Sequence, residues 1–291
     1  MWWEFVALAS AFFSAAAAIL EKKILFKEKA FTMSFILALF NLVLAIPFFF
    51  FVDYHLVTSS GLLVLFIKSV LGAAAYLLVM IGVKKLEISQ ALPLLVLTPG
   101  LVAVFAFIFL GESLEAMEIL GMALLLLGTY ILQVGSGKGF LGLVKSFVKA
   151  RGNYYIVGAL ALFTTTSILD KALLVNYHMP VNAFMGFQHL FFAIIFSFGI
   201  FWYSGEMKGL GKTIRFSGLA IFGLALMTIV YRYTQVYATS IAPVALVMAI
   251  KRISVFFAVL IGGRMFMDKN LFIRILATAI MVTGAVLIIM S

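Results

Sequence analysis

The chain has 291 residues, 65% of them hydrophobic, with 21 basic and 11 acidic side chains. Soluble domains carry roughly 45–50% apolar and about 25% charged residues, so 11% charged cannot cover a water-facing surface. Disorder is excluded by the same hydrophobicity, and a polytopic membrane protein remains.

A spanning helix needs about 20 apolar residues, so this length holds about ten spans and no soluble catalytic domain. The polar punctuation predicts helices over 3–25, 31–52, 60–82, 87–110, 116–134, 153–175, 180–204, 214–237, 240–262 and 269–290. Continuous apolar runs such as 101–110 and 277–290 exclude a barrel, whose strands would alternate. The first span opens on Glu4, and its apolar run is too long for a signal peptide, so it is expected to stay as a permanent helix. The connection 135–152 is Gly-rich and then basic. Phe140, Leu143, Val144, Phe147 and Val148 recur there at helical spacing beside Lys145 and Lys149, which fits an amphipathic helix on an anionic membrane face. A solvated linker fits equally well.

There is no cysteine and only three histidines, His55, His178 and His189. Disulfides, thiolate sites and Cys nucleophiles are therefore absent. No HExxH, GxSxG or Gly-rich phosphate loop occurs. The chain is read as a non-enzyme without metal or cofactor.

Charge predicts orientation. If ten helices alternate, sixteen basic residues fall on the face that holds the connections near 26–30, 83–86, 135–152, 205–213 and 263–268, and none on the other. The positive-inside rule puts that face in the cytoplasm and both termini outside, in a cell (plasma) membrane. The other five basic residues, Lys68, Lys171, Arg232, Lys251 and Arg252, lie within spans. The net charge of +10 is thus mostly topology, and nucleic acid is not an expected partner.

The halves resemble each other. Ile19-Leu20-Glu21-Lys22-Lys23-Ile24-Leu25 matches Ile168-Leu169-Asp170-Lys171-Ala172-Leu173-Leu174 149 residues on, and Ser89-Gln90-Ala91-Leu92-Pro93 matches Thr239-Ser240-Ile241-Ala242-Pro243 150 on. Gly121 and Gly128 match Ala277 and Gly284, again seven apart. The order is kept, which predicts an all-α chain of ten transmembrane helices in two five-helix repeats: 1–134, a cytoplasmic linker 135–152, and 153–291. Five is odd, so the second copy enters the membrane inverted, the architecture of alternating-access carriers.

On these motifs the chain resembles the drug/metabolite transporter superfamily of the EamA-domain type. The resemblance rests also on Leu110-Gly111-Glu112-Ser113-Leu114, Leu120-Gly121 and Leu127-Gly128, and on Ala249-Ile250-Lys251-Arg252-Ile253-Ser254 through Met267-Asp268-Lys269-Asn270. The Gly-Glu pair departs in the second half, where Arg264 follows Gly263 and the acid comes later, at Asp268. The resemblance implies a ten-span carrier of amino acids, nucleotide sugars, sugar phosphates or drugs, and leaves the substrate open.

Charged groups within spans are costly, about 2.5–3.5 kcal/mol at a helix centre. Lys251 and Arg252 stand at midspan. Adjacent residues point about 100° apart, so Lys251, on a face with Val247, Ser254, Ala258 and Gly262, is the candidate for an anionic substrate group. Arg252 is the structural partner, paired with Glu21 or a carbonyl. Asn41, Gln188, His189 and Thr165 are candidate hydrogen-bond partners at that depth, with Lys68 and Arg232 as further substrate contacts. Snorkelling to headgroups is an equal alternative for Lys68 and Arg232, and an ion pair with another helix is the alternative for Lys251 and Arg252. Tyr231, Tyr233 and Tyr237 fit an interfacial belt or a pocket wall. Thr164 to Ser167 fit bonds to carbonyls one turn back, and His189 fits an interhelical donor. Glu21 and Asp170 read as structural pairs or caps. Pro93, Pro99 and Pro243 bend the fourth and ninth helices, as gates or as static kinks.

The excess of internal positive charge points to a secondary transporter, exporter or exchanger, of a small anionic or zwitterionic metabolite such as an amino acid. Its partners are that small molecule and the bilayer; a homodimer stays open. The alternatives are a multidrug or cationic-compound exporter of the same fold, and a non-transporting membrane scaffold or sensor.

Overall fold

The computed structural model describes residues 2–85, 98–134, 153–202, 209–254 and 271–290. The linker 135–152, Pro93 and Asp268 lie outside these residues. The described chain is all-helical and forms ten α-helices: α1 Trp3–Leu25, α2 Ala30–Phe49, α3 Ser59–Lys85, α4 Thr98–Leu110, α5 Ala116–Val134, α6 Asn153–Val175, α7 Val181–Trp202, α8 Leu210–Ile241, α9 Val244–Lys251 and α10 Leu271–Met290. Six of them, α1, α2, α3, α6, α7 and α8, are long and apolar enough to cross a membrane. The apolar parts of α4, α5 and α10 are shorter.

Local chemistry sets the helix ends. Thr58 accepts the Gly61 N–H on its Oγ1 at 3.1 Å and starts α3, the side-chain bond of an N-cap. At the start of α5, the Glu118 carboxylate accepts the Glu115 N–H at 2.7 Å. Gly111 follows α4 with φ +66, a left-handed conformation that glycine takes without strain.

The largest departure from the sequence reading is at α8 and α9. The eighth helix runs 32 residues, about 48 Å at 1.5 Å per residue. It passes through the expected start of the ninth helix and stops at Ile241. Ala242 is extended, with φ −137 and ψ 161, and Pro243 is the N-cap of α9 with φ −55 and ψ 129. Pro243 therefore separates two helices and does not bend one. A proline is tolerated there because an N-cap needs no intrahelical N–H bond. Glu112 and Lys171 clamp the break. The Glu112 carboxylate accepts the Val244 N–H at 3.0 Å and lies 3.3 Å from Lys171 Nζ. Lys171 Nζ donates to the carbonyls of Thr239 at 3.0 Å and Ala242 at 2.7 Å. An anion thus meets a helix start and a cation a helix end, the favourable sense of both dipoles.

Polarity is turned inside out. Phe107, Phe198, Phe216 and Leu219 are exposed, while Lys68, Gln188 and His189 are buried at 3%, 0% and 3% exposure. A protein facing lipid has this arrangement.

Helix pairing runs between the halves: α5 with α10, α1 with α8, α3 with α6, α2 with α7 and α8, α3 with α7, α4 with α6, and α1 with α9. Exchanging each helix with the one five places along (α1 for α6, α2 for α7, and so on) turns these pairs into one another.

The α5–α10 contact is backbone against backbone. A β-carbon built on Gly121 would stand 2.6 Å from the Gly284 carbonyl oxygen, and one on Gly128 would stand 2.7 Å from the Ala277 carbonyl oxygen. Without a hydrophobic drive between helices in lipid, such close approach by small residues holds the pair. Gly128→Leu must force the two backbones apart and is expected to lower stability by about 1–3 kcal/mol or more. Thermal unfolding in detergent checks this, with Gly211→Ala as the control, since no atom of the described residues lies within 4 Å of a β-carbon there.

Candidate functional site

Each of the six helices around the centre turns one polar stripe inward. The stripes recur at three, four or seven residues: Ser34, Ala38 and Asn41 on α2; Lys68, Gly72 and Tyr76 on α3; Phe163, Ser167 and Asp170 on α6. Gln188, His189, Phe192 and Phe196 come from α7, Thr228, Tyr231, Arg232 and Gln235 from α8, and Met248 and Lys251 from α9. Together they line a cavity of about 280 Å³, within reach of the size range of small-molecule pockets.

The electrostatic centre is Asp170. Its Oδ1 lies 2.7 Å from Lys68 Nζ, and its Oδ2 lies 3.4 Å from Arg232 Nη2. Gln188 Oε1 accepts from both cations, from Lys68 Nζ and from Arg232 Nη2 at 2.7 Å. Arg232 Nη1 donates to Gln235 Oε1 at 3.2 Å, and that same oxygen accepts from Lys251 Nζ. Lys251 Nζ stands 5.0 Å from the centre of the Tyr231 ring, and Lys68 Nζ 4.8 Å from that of Phe184, both within cation–π range. Among the described residues, three cations and one carboxylate therefore share the cavity wall, linked through two glutamines.

Among the described residues, three buried polar atoms in the same wall have neither a hydrogen-bond nor an ion-pair partner: Asn41 Oδ1, Gln188 Nε2 and His189 Nε2. A buried polar group left unpaired costs about 1–3 kcal/mol, so three in one cavity call for a polar guest or water.

Six of the seven residues singled out as substrate contacts line this cavity: Lys251, Asn41, Gln188, His189, Lys68 and Arg232. Thr165 does not. It is exposed on the outer face of α6, and its hydroxyl bonds back to the Ala161 carbonyl at 3.0 Å. Its neighbours Thr166 and Ser167 face the cavity instead, each bonded to the Phe163 carbonyl. Lys68 and Arg232 do not reach headgroups, because Asp170 and Gln188 hold them inside. Asp170, read as a peripheral cap, is their counterion. Glu21 is not joined to Arg252; its Oε1 accepts the Tyr76 hydroxyl at 2.7 Å. Arg252 is the C-cap of α9. Of the tyrosines, Tyr231 is a cavity wall, Tyr233 stacks on Phe48 with centroids 5.5 Å apart, and Tyr237 is exposed. Gln235, which joins two cations, was legible only as a polar residue among the tyrosines, since its role depends on α9 folding back beside α8.

One turn beyond this polar layer, toward the ends of α2 and α6 and the starts of α3 and α7, the packing becomes apolar. Leu65, Leu173, Phe184 and Val236 are buried together there. Among the described residues, this apolar plug borders the cavity on that side.

Residues 1–134 match the sequence model of the EamA-like transporter family. The resemblance read from the motifs is borne out over those residues, and the family is one of transporters, not enzymes. A solved crystal structure of a protein 16% identical in sequence superposes with a TM-score of 0.70, over 98% of this chain and 96% of that one. That likeness shows a shared fold. No curated protein matches. The chain is an integral, multi-pass membrane protein, and its family match is to membrane transporters of the drug/metabolite type.

Removing the central carboxylate tests the cluster. Asp170→Asn leaves Lys68 and Arg232 buried without their counterion, and breaking such a pair costs about 3–5 kcal/mol. Thermal unfolding should fall accordingly, and Lys68→Met in the same chain should restore part of the loss.

Proposed function

We propose that the protein is a secondary transporter that carries a small anionic or zwitterionic metabolite by alternating access. The observation that carries this reading is the cavity wall: among the described residues it sets Lys68, Arg232 and Lys251 against one carboxylate, Asp170. Such a wall leaves positive charge to be met by a carboxylate or phosphate. A cationic-compound exporter would need a free carboxylate, and Asp170 is already engaged by two cations. A scaffold has no use for three unpaired polar atoms around a cavity. The exchange pattern of helix pairs supports two inverted halves, 1–134 and 153–291, with the substrate between them. α9, Pro243 and the Glu112–Lys171 clamp form the moving gate in this reading, because the α8–α9 break already interrupts the backbone ladder.

Lys251 is the sharpest site. Lys251→Gln keeps a polar group beside Gln235 and removes the charge. It should weaken anion binding by about 1.5–3 kcal/mol, the range for a charged hydrogen bond, with folded yield preserved. Arg252→Gln should lower folded yield and leave affinity near that of the parent. A thermal-shift screen with carboxylates, phosphates and quaternary ammonium compounds reads both variants. Stabilisation by the ammonium compounds alone would reverse the assignment.

The orientation follows from the basic face: cytoplasmic connections at 26–30 and 205–213, with both termini on the opposite side. The chain lacks cysteine, so His55→Cys and Lys27→Cys, both exposed positions, each carry one thiol. An impermeant maleimide on intact cells should label position 55 and spare position 27; the reverse labelling would overturn the topology.

A further inference from the structure

We infer that the cavity takes an amphipathic organic anion, one acidic head on an apolar body of roughly phenyl size, in preference to a small or uniformly hydrophilic anion. This rests on the anion reading above and adds to it the shape and polarity of the rest of the guest.

The lining residues separate into two layers by their positions along the helices. The layer nearer the apolar plug holds Asn41, Lys68, Asp170, Gln188, Arg232 and Lys251. The layer one to two turns deeper holds Ala38, Gly72, Ala73, Phe163, Phe192 and Phe196, with Tyr76. On α3 the two layers are marked by Lys68 and Tyr76, eight residues and about 12 Å apart. A guest that spans both layers is therefore longer than a bare carboxylate or phosphate.

Hydrogen bonding divides the layers in the same way. Every orphaned cavity atom, Asn41 Oδ1, Gln188 Nε2 and His189 Nε2, sits in or beside the first layer. The hydroxyl donors of the second are engaged within the protein itself. Ser34 donates to the Ala30 carbonyl at 2.7 Å, Thr228 to the Leu224 carbonyl at 2.8 Å, and Tyr76 to Glu21 at 2.7 Å. What the deep layer presents to a guest is mainly methyl groups, ring faces and ring edges, with a few hydroxyl oxygens that accept and do not donate. Its rings brace one another: Tyr76 meets Phe196 edge-on with centroids 6.5 Å apart, and Phe192 lies 6.4 Å from Phe196. The room between them comes from Ala38, Gly72 and Ala73. A β-carbon on Gly72 would already touch the Phe192 ring at 3.4 Å, so any larger side chain there fills the space a guest's body would use.

The polar layer selects charge and the deep layer selects body. A sugar phosphate would place several hydroxyl groups against a largely apolar wall whose own hydroxyl donors are already engaged, at a cost in desolvation.

The experiment uses purified full-length protein and four probes: 3-phenylpropionate, acetate, inorganic phosphate and 3-phenylpropylamine. Calorimetry or thermal shift should give 3-phenylpropionate about ten- to a hundredfold tighter than acetate or phosphate, the gain for burying a ring-sized apolar group. Gly72→Leu should remove most of that gain, bringing the 3-phenylpropionate-to-acetate affinity ratio close to one. Ala73→Leu serves the same purpose if the first variant does not fold. Equal affinity for phenylpropionate and acetate, or no binding of phenylpropionate, overturns the two-layer inference while anion binding by acetate or phosphate keeps the transporter reading. Phenylpropylamine binding as tightly as phenylpropionate overturns both.

Discussion

One carboxylate holds the centre of the molecule together. Asp170 engages Lys68 from α3 and Arg232 from α8, while Gln188 of α7 accepts from the same two cations. Four helices meet at that point, and α9 joins through Gln235 and Lys251. Burying three cations in a membrane is costly, and one anion offsets only part of it. The charge that is left and the atoms left unpaired define the cavity. A fully neutral centre would pack tighter and would have nothing to offer a polar guest.

The fold was legible to the extent that lipid imposes it. Hydropathy alone yields ten helices, because a backbone in hydrocarbon must satisfy its own hydrogen bonds. Both bounds of α1 agree with the span 3–25, and the start of α5 and the end of α6 agree with 116 and 175. Where the reading failed, a tertiary contact decided. The stop of α8 at Ile241 depends on Glu112 and Lys171, which lie in other parts of the chain and cap both sides of the break. Pro243 alone suggests a bend in one helix, not an end.

The site was legible as a set of depths and less so as a set of directions. Asn41, Lys68, Gln188, His189, Arg232 and Lys251 were identifiable because polar groups in a span need a reason. Thr165 was placed at the right depth and on the wrong face; 100° per residue separates it from Thr166, which faces inward. Asp170 looked peripheral because it lies five residues from the end of α6. The role as counterion becomes visible only when α3 and α8 are packed beside it. The glycines at 121, 128 and 284 served in the sequence as marks of repetition, and in the structure they prove to be the surface on which α5 and α10 touch.

The pairing of helices across the two halves has a consequence for how the chain is made. α1 rests on α8, α2 on α7 and α5 on α10, so most close neighbours are far apart in sequence. A ribosome delivers α5 to the membrane long before α10 exists. Until then the groove at Gly121 and Gly128 lacks the helix it packs against, and the polar stripe of α3 waits for α6 and its carboxylate. Assembly is therefore late and concerted: contacts that need long loops to close form slowly, and the first half must persist as an unfinished bundle while the second is inserted. α10, entering after α5, supplies the surface on which the fifth helix comes to rest.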